Sequence, residues 1–271
     1  DFGRVFMQHA EELVSGAADL EREVALAKGL ATGELSVGAG PYVMEILAPI
    51  CVPAFAAAHP GVRLRILMDS PSVLARFVRT RALDLGVAEA SVLENDDDLE
   101  VVAKLAPIPG YVVVRAGHPL TTRVPINLAN ALEYPFAQVV MLPPRVLKPI
   151  LASRSLAAPR SGVPPVPFPA IECPTLRLAT GIVASSDAFT LAPLGMVRAE
   201  LEQRRVIPLL HEPWMHSEWA IVRLRKRTMS PAMTAFVEEL ERTHREVLRE
   251  EERLRERWYR PDPRRQAFSA P

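Results

Sequence analysis

The amino-acid sequence predicts an α/β protein made of two blocks, each alternating short strands with helices. Three observations carry that prediction. Residues 34–105 read strand–helix–strand–helix–strand, with apolar runs of strand length set between longer segments of helical period. Residues 135–210 repeat this alternation without repeating the sequence. Gly-Pro and Pro-Gly steps, such as Gly40-Pro41 and Pro60-Gly61, mark the joins. A β-α-β order implies parallel strands linked by right-handed crossovers.

Composition sets the outer limits. At 271 residues the chain can bury a core in one large domain or two smaller ones. Hydrophobic residues at 49% and charged residues at 24% suit a soluble globular protein. Lys plus Arg and Asp plus Glu both number 32, so bulk charge gives no hold on nucleic acid. Two cysteines, Cys51 and Cys173, exclude a disulfide framework and a cysteine-rich metal site, and a single bridge between them is not expected. Residues 1–30 hold no apolar run of signal-peptide or membrane-span length, which points to the cytoplasm and to no membrane partner. A first residue of Asp1 rather than Met reads as a fragment.

The elements follow in order. Residues 4–28 have apolar positions three and four apart and form an amphipathic helix ending at Gly29. Residues 34–39 are a strand. Pro41 opens an apolar helix to Ala58, which Pro49 and Pro53 should kink or divide. Residues 62–68 are the next strand, Ser70 caps a helix over 73–83, and 84–90 is a third strand. Asn95–Asp98 is a solvated acidic loop. Strands follow at 100–105 and 111–115, a helix at 126–133, a strand at 136–140 and a helix at 145–153. Five prolines among residues 158–169 make an extended surface loop. A strand at 171–173, a helix at 175–184, a strand at 189–192 and a helix at 193–204 precede strands at 206–210 and 218–224. Ser230-Pro231 starts one long helix to Trp258, and a Pro-rich tail ends the chain.

In a parallel sheet, ligands bind beyond the carboxyl ends of the strands, where helix N-termini point. In the first block this selects the turns carrying Pro41 and Tyr42, then Ser70, Pro71 and Ser72, then Glu89 and Ala90. In the second it selects Met141 and Pro143, Ser186, and Thr190. Facing sets of loops would make a cleft for a small molecule. Glu89 suits a cationic or hydrogen-bond-donating ligand; its plainer role is a rim residue or a partner of Arg145. The Gly38–Tyr42 loop lacks the third glycine of a dinucleotide fingerprint, and Pro41 removes an amide, so no cofactor is expected. The six histidines show no metal-ligand spacing, and no G-x-S-x-G elbow occurs, so neither a metal nor a catalytic residue is assigned. Between Arg223 and Arg265, thirteen basic and nine acidic residues interleave, which describes a solvated helix rather than a nucleic-acid stripe.

Several short stretches, in order along nearly the whole chain, resemble the effector-binding part of a LysR-type transcriptional regulator. They are Asp1-Phe2-Gly3-Arg4 heading a long helix, Thr32-Gly33-Glu34-Leu35-Ser36-Val37-Gly38, Leu47-Ala48-Pro49 to Phe55, His59-Pro60-Gly61-Val62, Leu83-Asp84-Leu85-Gly86-Val87 and Gly117-His118-Pro119-Leu120. The resemblance implies a type 2 periplasmic-binding-protein-like fold: two α/β subdomains joined by two crossing strands and preceded by a linker helix. The linker and dimerisation helix would be 1–30, subdomain 1 residues 31–110 plus 225–258, subdomain 2 residues 111–224, and the tail 259–271. The crossings would fall near 110–115 and 218–224. The family's ligand contacts would map near Pro41 and Tyr42, Ser70 and Pro71, Glu89, and the Met141–Pro143 loop. Many relatives place Ser or Thr where Pro41 and Tyr42 stand, a departure that argues against a carboxylate effector.

The resemblance further implies a small-molecule effector between the subdomains, a homo-oligomer (dimer or tetramer), and DNA contact only through a helix-turn-helix missing from this chain. An effector acts by binding one arrangement better than the other; about 1.4 kcal/mol of preference shifts the balance tenfold. The same fold also serves solute-binding proteins of transport systems, the alternative reading. An enzyme is a third, for which no catalytic constellation is visible.

Overall fold

The computed structural model describes Gly3 and residues 33–94, 96–139, 142–156, 166–225 and 227–259. The expected linker helix (Gly3 apart), Met141, most of the proline-rich loop and residues 260–271 of the tail lie outside the described residues. The chain folds as two compact units. Unit 1 comprises residues up to Leu105 and Trp219–Thr243; unit 2 comprises Ala106–Glu218 and residues from His244 onward.

Unit 1 is built on a five-stranded sheet in the order β2-β1-β3-β10-β4. Its strands are β1 (Gly33–Ala39), β2 (Val62–Met68), β3 (Leu85–Glu89), β4 (Leu99–Pro109) and β10 (His216–Leu224). β1 pairs in parallel with β2 and β3, with Val37 opposite both Ile66 and Leu85. β10 runs antiparallel to β3, with Trp219 opposite Glu89. The β-α-β order places β1 between β2 and β3, buried from Leu35 to Ala39 save half-buried Ser36.

The helices of unit 1 are α1 (Pro41–Ile46), α2 (Ala48–Ala58), α3 (Pro71–Arg79) and α4 (Ala90–Leu93). The expected division of the first apolar helix falls at Leu47, before Pro49, rather than at the prolines. Pro49 then stands in the first turn of α2, where a missing N–H costs nothing, and only Pro53 is interior. Leu74, Ala75 and Val78 of α3 pack with Leu83, Ala88, Ala220 and Val222. Gly38 and Gly86 permit this close seat: a Cβ on Gly38 would lie 2.4 Å from Leu83 Cδ1.

Unit 2 contains an antiparallel sheet in the order β8-β5-β9, from β8 (Thr190–Ala192), β5 (Tyr111–Arg115) and β9 (Val206–Leu210). β6 (Ala137–Gln138) and β7 (Ile171–Glu172) pair in parallel, and a bridge from Phe136 to Phe189 joins them to β8. Its helices are α5 (Leu128–Ala131), α6 (Pro144–Leu156), α7 (Leu176–Ser185) and α8 (Arg198–Glu202). The core gathers Val112, Val114, Leu120, Phe136, Ile150, Phe189 and Leu209. The expected helix over 126–133 shortens to α5, because Asn127 caps it by accepting from Asn130 N–H at 2.9 Å. The expected helix over 193–204 is instead a 3-10 turn, Leu194–Val197, followed by α8.

The long C-terminal helix α9 (Pro231–Trp258) belongs to both units. Phe236 packs edge-on to Phe55 of unit 1, with ring centroids 5.2 Å apart. Glu251, four turns later, bonds the backbone of Leu194 and Gly195 in unit 2. The helix therefore does not belong wholly with the first subdomain, as expected from sequence; it divides between Thr243 and His244. The first passage of the chain between units also falls earlier than residues 110–115, between Leu105 and Ala106, because β4 runs unbroken to Pro109.

Candidate functional site

In unit 1 the three parallel strands end side by side. β1 register sets Ala39 beside Met68 of β2 and Val87 of β3. Two backbone bonds fasten the turns beyond them: Gly40 N–H to Val87 O at 2.9 Å, and Asp69 N–H to Ala39 O at 3.3 Å. Pro41, Tyr42, Ser70, Pro71, Ser72, Glu89 and Ala90 all lie on these turns, so seven of the predicted residues come to one end of one sheet.

Each turn opens a helix without a side-chain cap. Gly40, Ser70 and Glu89 are the cap residues of α1, α3 and α4, and none bonds the first turn through its side chain. Ser70 was expected to cap; its hydroxyl instead lies 3.5 Å from Ser72 Oγ, and its N–H donates to Asp69 Oδ1 at 2.7 Å. Helical geometry gives the N–H groups of Tyr42, Val43, Ser72 and Val73 no acceptor in their own helices. Pro41 and Pro71 sit at the first position, where the fixed φ of proline suits the helix.

The polar side chains are few. Burial, with Glu45 adding to it, pushes the Tyr42 phenol well above its usual range, so it stays a neutral donor. Glu45, Asp69 and Glu89 are the only charged residues among 38–46, 68–75 and 86–93, and all three are acidic. Ala90 is buried and offers only backbone. Beside the Ser72 turn lies an open groove of about 390 Å³, lined by Ser72, Ala75, Arg79, Val92, Asp96 and Asp97. Arg79 closes onto Asp96 at 2.7 Å along it.

The predicted residues of unit 2 are placed differently. Pro143 is half-buried and its carbonyl accepts from Val146 and Leu147 at 2.9 Å, opening α6. The Ser186 hydroxyl donates to Ile182 O at 2.7 Å and accepts from Ala188 N–H at 3.2 Å, so it ends α7. Thr190 is 1% exposed and its hydroxyl donates to Ala137 O at 2.8 Å. Both hydroxyls thus hold backbone. Sequence reasoning gave no role to His216 and Glu218, and named Arg145 only as an alternative partner of Glu89. Arg145 donates to His216 O and lies 3.6 Å from Glu218 Oε2, while His216 Nε2 is 2.8 Å from Glu218 Oε1. The His216 bond, aided by Arg145, holds the Glu218 carboxyl below the usual carboxylate range. The signal lay in the sequence: His216 and Glu218 are two apart in a strand, hence on one face. Among the described residues no group of three His, Cys, Asp or Glu side chains is placed to hold a metal.

Two α/β units, the first presenting helix-opening turns at the ends of parallel strands, define a small-molecule-binding module. The LysR substrate binding domain model matches residues 28–245, and the chain belongs to that family. It is 35% identical over 239 residues to the SDS degradation transcriptional activation protein of a Pseudomonas strain, covering 86% of this chain and 74% of that protein. It is 25% identical over 247 residues to the HTH-type transcriptional regulator GbpR of Azospirillum brasilense, covering 87% and 68%. Its fold is that of a hydrogen-peroxide-bound OxyR variant from Corynebacterium glutamicum, with a TM-score of 0.66, 15% identity and coverage of 93% and 77%. The effector binding domain of QuiR in complex with shikimate matches with a TM-score of 0.59, 19% identity and coverage of 79% and 98%. The type 2 periplasmic-binding-protein-like fold and the regulatory family therefore hold, and the solute-transport reading is not favoured.

Proposed function

We propose that this chain is the sensing part of a LysR-type regulator whose effector is recognised by the strand-end turns of unit 1. The observation that carries this reading is the convergence of three uncapped helix starts at adjacent parallel strand ends. Amides of Tyr42 and Ser72 and the Tyr42 phenol meet acceptors on the effector, and Asp69 and Glu89 meet donors. The all-acidic side-chain set favours an effector with a cationic or donor group over a plain anion. In unit 2, Ser186 and Thr190 act as supports for the backbone of that half of the fold. The module works in the cytoplasm as a homo-oligomer, carries no catalytic step, and reaches DNA through a helix-turn-helix of the parent regulator.

A thermal-shift screen of metabolites tests the assignment, because a ligand that binds only the folded state raises Tm. A hit is expected to lose most of its shift in Tyr42→Phe and Asp69→Asn proteins that melt like the wild type alone. A hit whose shift is the same in both variants would place recognition elsewhere.

A further inference from the structure

His216 lies outside the effector turns and heads β10, just before the chain passes from unit 2 to unit 1 after Glu218. Its ring meets an acceptor at each nitrogen. Nδ1 lies 2.7 Å from Pro213 O, and Nε2 lies 2.8 Å from Glu218 Oε1. The carbonyl oxygen has no proton to give, and neither has an ionised carboxylate. A neutral imidazole carries one N–H and can serve one of these acceptors; the imidazolium carries two and serves both. The geometry is therefore that of the charged ring.

The groups around the ring are few. From α6, Arg145 donates to His216 O and stands 3.6 Å from Glu218 Oε2, a looser approach than that of the ring. From β4, Gly110 N–H donates to Met215 O at 2.7 Å, and Ile108 O accepts from the Ser217 hydroxyl at 3.4 Å. Residues 106–110 bring no ionisable side chain. The turn between β9 and β10 carries buried Glu212, and His211 stands before it. Burial lowers His211, and positive charge at Arg255 and His216 adds to that. The Glu218 carboxylate thus faces two cations, with the ring as its closer partner.

We propose that His216 is a proton-operated latch, which clamps the Pro213 turn and Glu218 together at the head of β10 while both ring nitrogens carry protons. When one proton leaves to solvent, the ring keeps a single N–H and loses its charge. Either the turn or the carboxylate then loses its donor, and Glu218 is left with Arg145 as its cation. The ring is 23% exposed, so the proton has a way out. The sign follows from which form is clamped. The folded state prefers the protonated ring, so the contribution is present on the acid side and lost as pH rises. Histidine changes charge between about pH 5 and 8, which places the window near neutrality. Because β10 carries the chain from unit 2 to unit 1, the latch sets how firmly the first residues of that passage are held to α6 and the turn.

The test measures Tm for wild type, His216→Gln, Glu218→Gln and the double variant of the whole chain, in mild acid at about pH 5.5 and again at about pH 8.5. In acid, wild type should melt above H216Q by about 1–3 °C, as suits a partly exposed ion pair in a chain of this size. That difference should shrink at the higher pH and should be absent in the E218Q background. Nitrogen-15 NMR of the wild type in acid should show both His216 ring N–H protons, held against exchange by their acceptors. A Tm difference that is the same at both pH values, or that survives in E218Q, overturns the latch. So does a ring with fewer than two observable N–H protons in acid. If H216Q does not fold, the ring protons of the wild type decide alone.

Discussion

Asp84 and Arg227 form a buried ion pair in unit 1, with only 3% and 7% of their surfaces exposed. The other Asp84 oxygen accepts from Ser36 N–H at 2.6 Å and Ser36 Oγ at 2.7 Å. The pair thus ties the turn before β3 to the neighbouring strand β1 and to the chain after β10. Removing one partner strands a desolvated charge, which typically costs about 3–5 kcal/mol. Arg227→Met should lower stability by about that much, read from the urea midpoint, and Arg227→Met with Asp84→Asn should recover part of it. A single variant within about 1 kcal/mol of wild type would show that the pair is not closed in solution.

Glu89 is the acid at the end of β3, opposite Trp219 across the sheet. It makes no side-chain cap on α4. Glu89→Ala should abolish the thermal shift given by a cationic effector hit while leaving the Tm of the free protein within a degree or two. An unchanged shift would reject Glu89 as a contact.

The parallel β-α-β alternation and the helix starts of unit 1 were legible because they rest on local rules. Gly40-Pro41 and Ser70-Pro71 mark helix starts, and alternation marks the strands that precede them. What was not legible depends on partners distant in sequence. Ser186 and Thr190 look like ligand hydroxyls until Ile182 O and Ala137 O are seen to hold them. The division of α9 was hidden because its apolar stripe runs on unchanged; Phe55 and the Leu194 turn decide which half goes where. The break at Leu47 shows that a proline marks a helix's first turn as readily as its interruption.

The two thiols, Cys51 in unit 1 and Cys173 in unit 2, are free and buried, at 0% and 4% exposure. Burial, with a contribution from Glu239, pushes Cys51 up to about 12, and burial raises Cys173 as well. A thiol reacts through its thiolate, and a thiol raised this far stays in the unreactive protonated form at pH 8. Native protein should show no reaction with a disulfide reagent, and two thiols should react after denaturation. Prompt labelling of either thiol in the native state would contradict the packing around it.

Gly38 tests how firmly the effector turns are seated. It lies in β1, two residues before the turn to Pro41, and faces α3. An added Cβ would stand 2.4 Å from Leu83 Cδ1 and 2.5 Å from Leu74 Cδ2, and both leucines are buried to 1% or less. These are the ends of two buried leucine side chains, one of them on α3, and they must shift to admit the methyl group. Gly38→Ala should cost about 1–3 kcal/mol, the usual range for overpacking. The first turn of α3 carries Ser72, so affinity for an effector should fall with stability. Gly33, at the start of the same strand, has nothing within 4 Å of a built Cβ, and Gly33→Ala provides the control. If both variants bind and melt as wild type does, the close seat of α3 on β1 plays no part in recognition. If Gly38→Ala loses binding while Gly33→Ala keeps it, the geometry of the effector turns is set by the packing beneath them.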